Sequence, residues 1–266
     1  MKIRAAAVAG MFYPADPVQL AQDVRTMLVA AKDGTLHPKA LLVPHAGYIY
    51  SGPVAASSYA LLAPMGRQIH RVVLLGPAHR VALHGLALPD ADAFDTPLGR
   101  VVIDLAAIRQ IARLPQVTVS EQAHALEHSL EVQLPFLQTV LPEFKILPLV
   151  VGDASAEAVA EVLDILWGGA ETLLLISSDL SHYLPYPAAK RADRLTAGAI
   201  LHLQAPLSRE QACGGTAVNG LMLAARLHGL TAHLLDLRNS GDTAGPRDRV
   251  VGYAAFAFAE SSHACH

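Results

Sequence analysis

The sequence predicts the α/β class, and within it an α/β/α sandwich built around one mixed β-sheet. Three observations lead there. Short apolar runs of strand length alternate with helix-length segments along the chain. Those runs are nearly continuously hydrophobic, as in strands covered on both faces by helices. The Gly- and Pro-rich stretches, such as 89–99 and 238–248, are short and lie between elements, so no linker divides the 266 residues.

In chain order, Asp16 before Pro17 marks the start of a helix over 17–32. A strand over 39–44 and a helix over 52–63 follow, then a strand over 70–76 and a helix over 104–113. The run 127–140 reads as a helix, 144–151 as a strand and 154–167 as a helix opened by Asp153. Strand 172–177, helices 187–203 and 216–228, and strands 231–237 and 249–258 complete the pattern. The expected organisation is one domain over 1–260 and a flexible tail over 261–266.

Composition limits the function. Twenty basic and 23 acidic residues give a net charge of −3, too near neutral for a nucleic-acid surface or a polybasic membrane face. With 52% hydrophobic and 16% charged residues, the chain can form a sizeable core and is not disordered. No apolar run reaches the ~18–20 residues of a membrane span. The N-terminal run is broken by Gly10 and Pro14 and does not read as a signal peptide. Two cysteines, Cys213 and Cys265, suit a reducing, cytoplasmic location. Thirteen histidines outnumber the seven tyrosines and six phenylalanines, and several sit in loop-like contexts beside Gly, Pro or Asp.

The chemistry is expected at the carboxyl ends of the apolar strands, where the loops of an open α/β sheet converge. There is no G-x-x-x-x-G-K-[ST] and no G-x-G-x-x-G, so nucleotide binding has no support. Leu41-Leu-Val-Pro-His-Ala-Gly-Tyr48 runs from a strand through Pro44 to His45. Val72-Val-Leu-Leu-Gly-Pro-Ala-His79 repeats that design. Two histidines after separate core strands suggest facing imidazoles, and imidazole nitrogen suits Zn, Fe, Cu or Ni.

Leu174-Leu-Ile-Ser-Ser-Asp-Leu-Ser-His-Tyr183 places Asp179 three residues before His182, so the carboxylate would orient the imidazole. His124-Ala-Leu-Glu-His-Ser-Leu-Glu131 has three readings, one of them an ordinary amphipathic helix through Glu127, Leu130, Glu131 and Leu134 with the histidines merely packed at its start. His124, Glu127 and His128 match the H-x-x-E-H zinc-peptidase pattern, or the two histidines contact substrate near the metal. Cys213 precedes the helix over 216–228, whose dipole would stabilise a thiolate; a buried inert cysteine is the other reading.

Together these segments resemble the Memo family, including the members called AmmeMemoRadiSam system protein B. The resemblance spans nearly the whole chain. It takes in Ala9-Gly-Met-Phe-Tyr13, Pro44-His-Ala-Gly-Tyr48, Ser51-Gly52, Gly76-Pro-Ala-His79, Thr96-Pro-Leu-Gly99 and Glu127-His-Ser-Leu-Glu131. Ser177-Ser-Asp-Leu-Ser-His182, Cys213-Gly214 and Val251-Gly-Tyr253 complete it. That family is similar in fold to the class III extradiol dioxygenases.

The resemblance implies His45 and His79 as metal ligands, with Cys213 where the dioxygenases supply a carboxylate. It implies His182 as the acid/base histidine and His128 lining the same pocket; Tyr48 and His124 are expected near the substrate. The metal expected is Fe(II), with Cu or Zn as alternatives, because a thiolate is softer than a carboxylate. The expected activity is a metal-dependent oxygenase or oxidase acting on a small organic molecule. A non-catalytic metal- or peptide-binding adaptor is the rival reading, with the zinc peptidase third. A radical-SAM protein is implied as a partner by the family alone.

Overall fold

A computed structural model describes residues 1–31 and 34–260; the tail expected over 261–266 lies outside the described residues. The chain opens with β1 (Ile3–Arg4), α1 (Pro17–Ala30), β2 (Ala40–Val43), α2 (Tyr48–Tyr59) and β3 (Arg71–Pro77). Short elements follow: β4 (Leu86–Leu88), β5 (Ala93–Thr96), β6 (Gly99–Val102), α3 (Leu105–Ile111), β7 (Val117–Val119) and α4 (Glu121–Ala125). Next come α5 (Leu134–Val140), β8 (Lys145–Val151), α6 (Ala156–Ile165), β9 (Thr172–Ser177) and β10 (His182–Leu184). The chain closes with α7 (Tyr186–Leu201), α8 (Gly215–Leu227), β11 (Leu230–Asn239) and β12 (Val250–Glu260).

The main sheet runs β10-β12-β2-β9-β3-β8-β4-β7, with β11 paired along β12. Its centre, β2-β9-β3-β8, is parallel, and the antiparallel pairings of β4 and β12 on either side make the sheet mixed. The strand period of two divides the central side chains cleanly between two cores. Leu42, Val73, Leu75, Leu147, Leu149 and Ile176 join the core covered by α3, α6, α7 and α8. Leu41, Val43, Val72, Leu74, Ile146 and Leu175 join the opposite one, covered by α1, α2 and α5. The predicted sandwich is therefore the observed one, and a small sheet of order β1-β5-β6 adjoins it.

Boundaries depart from the sequence reading where local chemistry intervenes. α2 begins at Tyr48 rather than 52, because the Tyr48 N–H is taken by the Phe12 carbonyl and Pro53 is carried inside the helix. α6 is capped by the Ser155 hydroxyl on the Ala158 N–H, not opened by Asp153. The expected helix over 127–140 is largely a turn: only Leu134–Val140 is α-helical, with Pro135 in its first turn. Proline lacks the N–H and crowds the preceding residues, so a helix cannot run continuously through that point without penalty.

Candidate metal centre

Parallel pairing brings the carboxyl ends of β2, β3 and β9 to one edge, and each delivers one polar segment: His45, His79 and Ser177-Ser-Asp179. The turn after α4 supplies a fourth group, His128. One ligand atom each from His45, His79 and His128 falls within a mutual 4.8 Å. The ring centroids are 5.2 Å apart for His45–His79, 5.4 Å for His45–His128 and 4.7 Å for His79–His128.

Hydrogen bonds behind the rings decide which nitrogens carry lone pairs. His45 Nδ1 lies 2.8 Å from Ser177 Oγ. That hydroxyl donates its one proton to the Ser129 carbonyl at 2.6 Å and also accepts from Gln133 Nε2 at 2.9 Å. It must therefore accept from His45 Nδ1–H, which leaves the lone pair on Nε2. His79 repeats the logic with a carboxylate: its Nδ1 lies 2.9 Å from Glu127 Oε1, and its backbone N–H donates to Glu127 Oε2 at 2.6 Å. Burial alone would raise the Glu127 carboxyl, but the bonds from His79 and from the Ser129 N–H outweigh it and hold it at about 2. An ionised carboxylate only accepts, so His79 donates through Nδ1 and presents Nε2.

His128 completes the set. Its Nδ1 is buried without a hydrogen-bond partner, although Glu127 Oε1 lies 3.3 Å away. That approach is neither a hydrogen bond, since distance alone does not make one, nor an ion pair while the ring is neutral. Burial lowers His128 to about 4 and His45 well below 6.5, so both rings are neutral near pH 7 and fit to ligate. Two rings with fixed lone pairs and a third with an orphaned buried nitrogen suit a transition metal.

Cys213 stands beside this group rather than in it. Its Sγ is 3.3 Å from His45 Nε2 and accepts the Asp179 N–H at 3.3 Å. Of the expected His45, His79 and Cys213, the two histidines converge with His128, and Cys213 Sγ lies against His45 alone of the three rings. Burial and the nearby Asp179 charge push the metal-free thiol up to about 12, against the pull of the α8 dipole. Gly214 allows this approach, because a Cβ there would meet the Ser177 carbonyl at 2.8 Å.

Three more expectations change. Asp179 does not orient His182; its Oδ1 accepts the His45 backbone N–H at 2.8 Å, and burial raises the acid to about 7. Tyr48 is a core residue whose hydroxyl already donates its one proton to the Val132 carbonyl at 2.6 Å. His124 ends a short helix and turns away from His128, with Nε2 2.8 Å from the Ala87 carbonyl. The H-x-x-E-H pattern consequently forms no shared helix face, and its glutamate is already saturated by His79 and Ser129. His182, on β10, is half-buried and close enough for its charge to act on His45.

A cleft of about 360 Å³ reaches the cluster along the His79 and Cys213 side, walled by Ala78, Val151 and Thr216. Sequence reasoning did not find Ser177 as the partner of His45, nor Glu127 as the partner of His79. The signal for both was present in the same strand-end and turn motifs that held the histidines.

A family model described as Memo-like protein matches residues 4–257. A MEMO1 family protein of Aquifex aeolicus is 37% identical over 270 residues, covering 97% of this chain and 100% of that protein. One from Archaeoglobus fulgidus is also 37% identical, over 94% of this chain and 97% of its own length. A crystal structure of an uncharacterized protein from Escherichia coli K12 shares the fold, with a TM-score of 0.50 and 12% identity over 82% of this chain and 98% of that one.

Proposed function

Since the chain belongs to the Memo family, we propose that it is a metal-dependent redox enzyme, a non-haem Fe(II) oxygenase or oxidase of a small organic molecule. The observation that carries this reading is the convergence of the His45, His79 and His128 nitrogens at the head of a cleft. His45 and His79 would hold the ion through Nε2, with His128 as the third ligand. Bound there, iron would supply dioxygen binding and electron transfer. Copper and zinc fit the same imidazoles and are the competing occupants.

The remaining groups serve the substrate. The cleft admits a small molecule past His79 and Cys213, with Asp153 and Arg209 among its lining residues. Asp179, raised to about 7 by burial, and His182, lowered by burial and so neutral near pH 7, are the groups to move protons. Cys213, 3.3 Å from His45 Nε2, guards the metal edge that substrate would approach.

Anaerobic loading of the purified protein with Fe(II), Cu(I) or Zn(II), followed by metal analysis, tests the centre. Oxygen uptake with candidate phenols and catechols then tests the chemistry. One bound iron per chain and uptake abolished by His45→Ala are expected. A full complement of iron with no turnover would favour the adaptor reading. Binding that survives both His45→Ala and His79→Ala would remove the centre itself.

A further inference from the structure

Arg4 is a buried charge that none of the chemistry above uses. It sits on β1, far in sequence from the histidines, and is 8% exposed. Its Nε donates to the His124 carbonyl at 2.8 Å and its Nη2 to the Glu127 carbonyl at 2.7 Å. Its Nη1 meets Glu131 Oε2, and the guanidinium lies 4.8 Å above the centre of the Phe94 ring. Glu131, fully buried, is otherwise saturated by the Ala7 and Val8 N–H groups and the Tyr13 hydroxyl.

The two carbonyls that Arg4 grips bracket the turn from His124 to His128. Within that turn, Glu127 fixes His79 and the next residue is His128 itself. We infer that Arg4 is a positioning residue for the metal centre, its planar fork setting the turn that carries both the carboxylate partner of His79 and the third imidazole. This inference rests on the metal reading above. A guanidinium can span two carbonyls and a carboxylate at once; an ammonium is a single point charge and cannot hold that geometry. The N-terminal residues 4–13 are thereby keyed to the site through Glu131, and Phe12 also packs against the His128 ring at 4.5 Å between centroids.

The test is Co(II) binding by the full-length protein, read as affinity and as the ligand-field absorption bands. Arg4→Lys keeps the charge opposite Glu131 but loses the fork, and Arg4→Met with Glu131→Gln removes the pair together. Both are checked for folding by circular dichroism. Each is expected to bind Co(II) about 10–100-fold more weakly than wild type, with shifted bands. Lys39→Met, which removes a carbonyl-gripping cation at the opposite sheet edge, should leave affinity and bands unchanged. Wild-type affinity and bands in either folded Arg4 variant would overturn the positioning role while leaving the metal centre standing. Equal weakening by Lys39→Met would overturn it too, by showing a general stability effect. No binding by wild type would overturn the metal reading and this inference with it.

Discussion

The same strands end in opposite ways at their two edges. At the amino edge, Lys39 just before β2 donates to the carbonyls of Gly169 and Thr172 at 2.8 Å each, and also to Trp167. Arg71, opening β3, donates to Asp104 at 2.7 Å. At the carboxyl edge the polar groups are acceptors: three imidazole nitrogens converge, and among the described residues no ammonium or guanidinium donates to these rings. The chain carries its own cation at one edge and leaves a cation-shaped demand at the other. Burial of an acceptor without a partner is costly; His128 Nδ1 has none and His45 Nε2 has only the weak Cys213 thiol, so the second edge suits an exogenous ion.

That contrast can be broken by experiment. His45→Ala should lower Co(II) or Fe(II) affinity by more than about 100-fold, a larger loss than for an outer partner. Equilibrium titration against a competing chelator reads it, and unchanged affinity would erase the distinction between the edges. Glu127→Gln should cost about 10–100-fold. An amide has one acceptor where the carboxylate uses two, so either the His79 N–H or its ring loses a partner.

Lys39→Met should act on stability alone. Carbonyls of Trp167, Gly169 and Thr172 would lose their donor, at about 1–3 kcal/mol, which lowers the thermal midpoint while metal affinity stays put. A change in affinity would mean that the two edges are coupled.

The smallest effect sharpens the boundary on the carboxyl side. His124 is held at about 4, against an ordinary 6.5, chiefly by burial. The unfolded chain takes up that proton first, so stability is present above about pH 6.5 and falls as pH drops toward 4. In His124→Gln the fall in thermal midpoint over that window should be shallower, with metal affinity within about twofold of wild type because His124 is no ligand. Parallel curves for the two proteins would show that His124 contributes nothing to acid sensitivity.

Much of this was legible in the residues. Continuous apolar runs gave the central strands, and histidines just past strand ends gave His45 and His79, because strand polarity fixes where loops converge. The third imidazole was harder. His124 and His128 are four apart, which suggests one helix face, yet Pro135 already argued against a helix running from 127 to 140. Once 127–130 is a turn, Glu127 swings to His79 and the spacing rule no longer applies. Cys213 had two readings that the residues alone could not separate. Its place before α8 favours a thiolate, but burial outweighs the dipole, and burial depends on tertiary packing. The Arg4 clamp, its guanidinium 123 positions from Glu127 in sequence, leaves no local signature.

The three rings are not equally sheltered. Side-chain exposure rises from 2% at His45 through 13% at His128 to 29% at His79. For an ion held by all three, that gradient is a direction of travel. His79, the most open ring, would meet an arriving ion first and release it first, so its tether to Glu127 would set the exchange rate. His45, bonded to Ser177 and the most buried of the three, would set how tightly the ion is kept. Speed of loading and depth of binding would then be tunable separately, by the partner of one histidine or of the other.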